Sequence, residues 1–450
     1  MKAKGPYAML NAITFANFKS YQSARFPLSP LTVLIGANAA GKSNAIEAMR
    51  LLAWLAQGQK LSSIQYLVEN TDRIVRGRTI DLSFCRTGQF GLGCETSTPD
   101  WNNLFMEISL REDGLHITKE HISSHESNTP LYTIDQQSTG NNTDVSVAYN
   151  NFSRGRNKPH IRCSDQFAIF TQLTSAATLN AQHKQSQEII PQIARAYEQW
   201  LSAMLFLDPA PAKMRDYAFP SEKRLQGDGS NLSGVLYNLW GNDSEAVVEP
   251  YATQRFEILN FIKSLPEQDI EEIDFLIEPR GGVMVRLKET FGGDKRGYDA
   301  SLLSDGTLRV LAIVAAMLSA DEGSLVVIEE IDNGVHPSRA RHLLEGIRKI
   351  ADRRRLRVLL STHNPAMTDA LPDASIQDVV YCYRSPADGA SQLVQLKDLP
   401  DFPELVAQGP LGQLMTAGIL ERFVKQHRSP EERKALAYAW LDKIRSKAEQ

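Results

Sequence analysis

The sequence predicts an α/β fold organised on a mixed sheet, and three apolar runs carry that prediction. Leu31-Thr32-Val33-Leu34-Ile35, Leu325-Val326-Val327-Ile328 and Leu356-Arg357-Val358-Leu359-Leu360 are short and almost continuously apolar. Runs of that kind suit strands buried on both faces, as in a parallel sheet with helices on either side. Behind the first run Ala45, Ile46, Met49, Leu52, Ala53 and Leu55 recur at helical spacing, so the opening unit reads as strand, loop and helix.

From Ile13 to about Leu110 the pattern reads as strands, one long helix and further strands. Between Gly114 and Gln187 the composition shifts to Ser, Thr, Asn, Gln and His, and Asp135 to Asp144 carries little apolar content. This segment reads as an inserted helical or irregular arm over residues 114–200, splitting the main unit into 1–113 and 201–375. Residues 376–450 read as a mostly helical C-terminal extension that ends in a charged tail. Apolar and helical character returns from Ile189 to Leu207.

The bulk numbers restrict the function classes. In 450 residues, 42% hydrophobic and 23% charged content is ordinary for a globular chain, and no apolar run is long enough to cross a bilayer. The basic start Met1 to Pro6 is not followed by the apolar core of an export signal. Cys85, Cys94, Cys163 and Cys382 lack CxxC spacing, which fits a reducing cytoplasmic setting without a disulfide framework. A net charge of -4 argues against coating nucleic acid by overall charge, although a local groove contacting DNA or RNA stays open.

Gly36-Ala37-Asn38-Ala39-Ala40-Gly41-Lys42-Ser43 matches the phosphate-loop pattern GxxxxGK[ST] in full, between the first strand and its helix. Gly36 and Gly41 allow the tight backbone that turns amides to phosphate oxygens, Lys42 reaches the β and γ phosphates of ATP, and the Ser43 hydroxyl binds Mg2+. Gly36, Asn38, Gly41, Lys42, Ser43 and Asn44 form the expected nucleotide cradle. Leu325 to Ile328 ends in Glu329-Glu330, the acidic strand end known as Walker B. Alternation along a strand sends Glu329 to the metal and Glu330 to the attacking water.

Two weaker patterns depend on company. Ser304-Asp305-Gly306-Thr307 opens the apolar segment Leu308 to Leu318, and alone it is an ordinary helix cap. His363 follows the strand at Leu359-Leu360, and alone it is a structural histidine. His116, His121 and His125 lie in polar surroundings without an HExxH motif and read as solvated. Arg353 to Arg357 and the set Lys213, Arg215, Lys223 and Arg224 read as solvated faces before they read as phosphate-backbone contacts.

The order of these motifs resembles that of the ABC-type P-loop ATPases related to RecF, SMC and the OLD proteins, especially the stand-alone AAA-family ATPases of bacterial defence systems. Asn17-Phe18-Lys19-Ser20 is similar to a segment of that group, which adds Lys19 and Ser20 to the nucleotide set. Asp228-Gly229-Ser230-Asn231-Leu232 is similar to another. The resemblance covers about Leu10 to Pro365 without the insertion and extends weakly through Gly409 to Gln413. It implies that Ser304, Gly306 and Thr307 form a signature contacting the γ-phosphate held by a second subunit, so that ATP joins a homodimer or a higher oligomer of dimers. It also implies Asp332 in the interface loop, His363 as γ-phosphate switch, and Gln172 as the glutamine linking metal and nucleotide to the arm.

The chain departs from the family at several points. Asp305 and Thr307 replace the Gly and Gln of transporters, Glu329 stands where Asp is usual, and Asn364 follows His363. Only about 85 residues follow His363 and they lack the acidic pattern of the nuclease domain that ends the OLD proteins. The expected role is an ATPase that senses infection and controls a separate effector, such as a nuclease. A DNA-clamping maintenance ATPase and an ATP-binding scaffold with little turnover remain open.

Overall fold

The computed structural model describes residues 9–64, 74–124, 129–140, 142–155, 157–241, 249–262, 270–291, 294–333, 335, 337–399 and 401–425. The chain begins with β1 (Leu10–Phe18), β2 (Tyr21–Pro27), β3 (Leu31–Gly36) and α1 (Lys42–Ala56). Six strands follow: β4 (Gln89–Thr96), β5 (Asn103–Arg111), β6 (Gly114–Ser123), β7 (Tyr132–Gln136), β8 (Asp144–Tyr149) and β9 (His160–Ser164). Then come α2 (Lys184–Ser202), β10 (Leu205–Leu207), α3 (Leu232–Trp240), α4 (Tyr251–Ile262), β11 (Ile270–Ile277), β12 (Val283–Phe291) and β13 (Asp294–Asp299). The last stretch holds α5 (Asp305–Ser319), β14 (Leu325–Ile328), α6 (Pro337–Arg354), β15 (Arg357–Ser361), β16 (Val379–Arg384) and β17 (Ser391–Gln395).

One sheet runs β10-β14-β15-β3-β16-β17, parallel except where β17 pairs antiparallel with β16. Its apolar runs are buried on both sides. Val33, Ile35, Val326, Ile328, Val358 and Leu360 pack into one core, with α3 to α6. Leu34, Leu325, Val327 and Leu359 pack into the other, with α1 and α2. A side chain buried in either core contributes about 1.5–3 kcal/mol, so both strand faces stabilise the sheet that carries the site. Helix α5 is apolar nearly all round because Leu308 and Val310 to Leu318 are all buried.

The second sheet is antiparallel, in the order β2-β1-β4-β5-β6-β7-β8-β9. Its second half comes from the polar segment expected to be helical or irregular. That composition hides strands because only one face is covered: Val145, Val147 and Tyr149 of β8 are buried while Asp144 is exposed. The helical part of the arm is α2, whose Ile190, Ala194, Tyr197 and Leu201 are buried at helical spacing against α1. His116 on β6 is not solvated. It is 2% exposed and bridges Asp165, 2.8 Å from Nδ1, and Asp113, 2.9 Å from Nε2; His125 lies outside the described residues.

The boundary at residue 375 also needs correction. Strands β16 and β17 belong to the central sheet, with Val380 opposite Leu34 and Cys382 opposite Gly36, so the unit holding the site runs through Gln395. Short helices at Leu411–Thr416 and Ile419–Lys425 follow, and the expected charged tail after Lys425 lies outside the described residues. A small antiparallel sheet, β11-β12-β13, contributes Ile273, Phe275, Val285 and Leu287 to the α3 to α6 core.

Candidate active site

The loop between β3 and α1 has a backbone that only its sequence permits. Gly36 and Gly41 have φ of +145° and +123°. A Cβ at Gly36 would lie 2.2 Å from the Cys382 carbonyl oxygen, and one at Gly41 would lie 2.3 Å from Ser391 Oγ. Helix α1 starts at Lys42, so its unpaired first N–H groups face the concave side of the loop. Lys42 Nζ donates to the Gly36 and Ala37 carbonyls at 2.6 and 3.0 Å. Burial holds its ammonium below the usual lysine range, against the pull of neighbours that include Glu330 and Asp332.

A brace from the far end of the chain supports the loop. Ser391 Oγ, at the start of β17, donates to the Ala40 carbonyl at 2.5 Å and lies 2.8 Å from Ser20 Oγ. Ser20 Oγ also accepts from Asn44 Nδ2 at 2.7 Å. Lys19 is paired with Glu47 of α1 and donates to the Arg76 carbonyl at 2.8 Å. Lys19 and Ser20 therefore sit beside the cradle, in an adjoining cleft that shares Asn44, Arg76 and Arg384 with it.

At the end of β14 the two acids part. Glu329 pairs with Arg50 of α1, and burial raises its carboxyl above the usual range while Arg50 opposes the rise. Glu330 has a φ of +48°, a conformation costing roughly 1–2 kcal/mol for a residue with a Cβ. Its N–H donates to Ser361 Oγ at 3.0 Å and its carboxylate accepts from Asn333 Nδ2 at 2.7 Å. Past β15, Thr362 Oγ1 donates to Asp332 Oδ1 at 2.6 Å, and His363 Nδ1 stands 3.6 Å from Asp332 Oδ2. The imidazole is 55% exposed, open to whatever enters beside it.

These elements enclose a cleft of about 380 Å³ that brings together Asn38, Gly41, Lys42, Ser43, Asn44, Glu329, Glu330 and His363. Its walls include three residues that motif reasoning missed: Arg76, Arg384 and Thr362. Arg384 donates to the Ala39 carbonyl at 3.3 Å. Gln172 is not among the lining residues. Its amide is engaged by the backbone at the β9 end, accepting from Ser164 N at 2.9 Å and donating to Ser164 and Phe167 carbonyls at 2.7 and 3.0 Å. That spends its polar atoms on local structure, away from the cleft.

Ser304, Gly306 and Thr307 also lie outside this cleft, at the start of α5. Ser304 is exposed and caps the helix, its Oγ accepting from Thr307 N at 3.1 Å. Arg215 holds the turn by donating to the Leu303 carbonyl at 3.0 Å and to Asp305 at 2.6 Å. Four more of these basic residues are engaged internally. Arg224 donates to the Ala203 carbonyl at 2.6 Å, Arg354 to the Ala320 carbonyl at 2.7 Å, Lys213 pairs with Asp228, and Arg353 with Glu257.

The donor chemistry of the cleft fits Mg2+. Ser43 offers a hydroxyl, and Glu329 and Glu330 offer carboxylates, all hard oxygen ligands. Among the described residues no group of three His, Cys, Asp or Glu side chains forms a metal cage, and Mg2+ characteristically takes one or two protein oxygens with phosphates and water completing the shell. Among the described residues no helix is long and apolar enough to cross a membrane.

Solved SMC heads show a distant likeness. The head bound to the C-winged helix domain of ScpA is 13% identical over 86% of this chain and 98% of that one, with a TM-score of 0.46. The Pyrococcus furiosus head bound to the C-terminal domain of ScpA is 12% identical over 89% and 100%, TM-score 0.46. The Thermotoga maritima SMC head is 12% identical over 86% and 98%, TM-score 0.37. No curated protein matches the chain. A family model matches residues 31–103 and 165–369, more than half of the sequence, spanning the phosphate loop, the α5 cap, both acids and His363 while omitting β6 to β9. The protein belongs to that family, described as "AAA domain, putative AbiEii toxin, Type IV TA system".

Proposed function

We propose that the protein hydrolyses ATP to ADP and phosphate in the cleft between the phosphate loop and the ends of β14 and β15, and that it acts as an ATP-joined homodimer controlling a separate effector. The convergence of Lys42, Ser43, Glu329, Glu330 and His363 on one cleft carries this reading. The α1 N-terminus and Lys42 supply positive charge to the phosphates once the Lys42 ammonium leaves the Gly36 and Ala37 carbonyls. Ser43 and Glu329 would hold Mg2+, which would supply neutralisation of the phosphate charge. Glu330, positioned by Ser361 and Asn333, orients the attacking water and accepts its proton as the bond to the bridging oxygen breaks and that oxygen leaves on ADP. His363 reads the γ-phosphate from the exposed rim.

Ser304, which is exposed, and the half-buried Gly306 lie outside their own cleft, at a helix start where a partner's γ-phosphate would meet them. The toxin and toxin–antitoxin words in the family description support a defence role, with a nuclease as the expected effector. Internal contacts take up Lys213, Arg215, Arg224, Arg353 and Arg354, which weighs against a DNA-clamping reading. In purified protein, Lys42→Ala is expected to lose ATP binding, whereas Glu330→Gln binds ATP, turns over about 100-fold or more slowly, and elutes as a dimer in ATP. Wild-type turnover in Glu330→Gln removes that residue from catalysis, and a monomeric ATP-bound Glu330→Gln removes the dimer.

A further inference from the structure

The arginine facing Glu329 belongs to no recognised motif. Arg50 lies on α1 eight residues beyond Lys42, and among the described residues its guanidinium makes the closest polar contact to the Glu329 carboxylate. It also lies 5.3 Å from the centre of the Phe206 ring. Neither member of the pair is fully enclosed, at 27% exposure for Arg50 and 22% for Glu329. Arg50 thus engages the Glu329 carboxylate from the wall of a second cleft of about 500 Å³, outside the lining of the first. That second cleft holds another carboxylate, Asp208, which is exposed and sits one residue beyond β10.

We infer that Arg50 is a positioning residue that holds the Glu329 carboxylate in the metal-free head and yields it to Mg2+ when the nucleotide arrives, with Asp208 receiving the displaced guanidinium. The inference rests on the nucleotide reading of the cleft. An arginine and a divalent cation compete for one carboxylate because each neutralises the same charge, and the cation wins only when phosphate oxygens complete its shell. The Phe206 ring keeps a contact with the guanidinium during the exchange, which lowers the cost of breaking the pair. Arg50 therefore sets the Mg2+ concentration at which the ATP-bound head loads metal, without touching the phosphates.

Calorimetric titration of the whole chain with a non-hydrolysable ATP analogue, at fixed nucleotide and varied Mg2+, tests this. Arg50→Met keeps an apolar stem over Phe206 and removes the competing charge, so its half-saturating Mg2+ concentration is expected to fall about fivefold or more. Binding of the analogue in EDTA is expected to match wild type, which also reports that the variant folds. Asp208→Asn leaves the Arg50–Glu329 pair in place and removes the receiving carboxylate, so its half-saturating Mg2+ is expected to rise. An unchanged or raised midpoint in Arg50→Met, with EDTA binding intact, overturns the inference. If Arg50→Met does not fold, an unchanged or lowered midpoint in Asp208→Asn overturns it. Failure of wild type to bind the analogue sinks the nucleotide reading instead.

Discussion

Glu120 gives the sharpest quantitative expectation. It sits on β6 with no exposure, accepting from Tyr132 OH at 2.7 Å and from the Ile169 and Phe170 N–H groups at 2.8 Å each. Burial pushes its carboxyl up from 4.5 to about 7, although these three donors pull it down. A carboxyl whose folded value is raised stabilises the fold most below its unfolded value, and this contribution is lost as pH rises through the folded one. Each unit is worth 1.36 kcal/mol, so the loss between pH 4.5 and a pH somewhat above 7 is about 3 kcal/mol. Glu120→Gln has no proton to lose there, and its cost, from placing an amide where two N–H groups point, is independent of pH. Urea unfolding followed by circular dichroism at intervals from pH 4.5 to 8 should show wild type losing stability relative to Glu120→Gln as pH rises. Parallel curves would refute the reasoning and mean that the three donors hold Glu120 ionised throughout.

Two further expectations concern the cradle. Gly41→Ala places a Cβ 2.3 Å from Ser391 Oγ at a φ of +123°; it should lower the melting temperature by several degrees and abolish the thermal shift ATP gives wild type, and a normal ATP shift would show that the loop tolerates the methyl. Arg76, whose side chain is 59% exposed and lines both the phosphate cleft and its neighbour, should contribute to nucleotide affinity. Arg76→Ala is expected to raise the dissociation constant for ATP about tenfold by calorimetry, while an unchanged constant would leave it as a partner of Glu47 alone.

The sequence exposes those parts of the site that local physics defines. The loop from Gly36 to Ser43 is legible because its spacing is a backbone requirement, and the central strands are legible because burial on both faces leaves no polar positions. The β6 to β9 half of the antiparallel sheet is hidden for the opposite reason. Its outward positions are polar, and even its inward positions include His116 and Glu120, whose polar atoms are met by Asp113, Asp165 and backbone amides from distant segments. Ser391 gives no local signal either, since its contacts with Ala40 and Ser20 depend on the pairing of β17 with β16 and of β16 with β3. Arg50 left a trace: a cation at the start of the apolar C-terminal half of α1, flanked by the buried Met49, Leu51 and Leu52, needs an anion, and Glu329 supplies it.

The adjacent acids show why strand alternation alone does not build the cleft. Side chains one apart on a straight strand point to opposite faces of the sheet, which would send Glu330 away from the phosphate loop if Glu329 faced it. Here β14 ends at Ile328, and Glu330 takes a positive φ stabilised by Ser361 of β15 through its own N–H. That turn brings both carboxylates to the same cleft from different directions, one facing α1 and one facing the Asp332 and His363 side. Strain held by a neighbouring strand at a pair of acids is more consistent with chemistry than with a solvated strand end, because a solvated end could relax to an ordinary φ and recover roughly 1–2 kcal/mol.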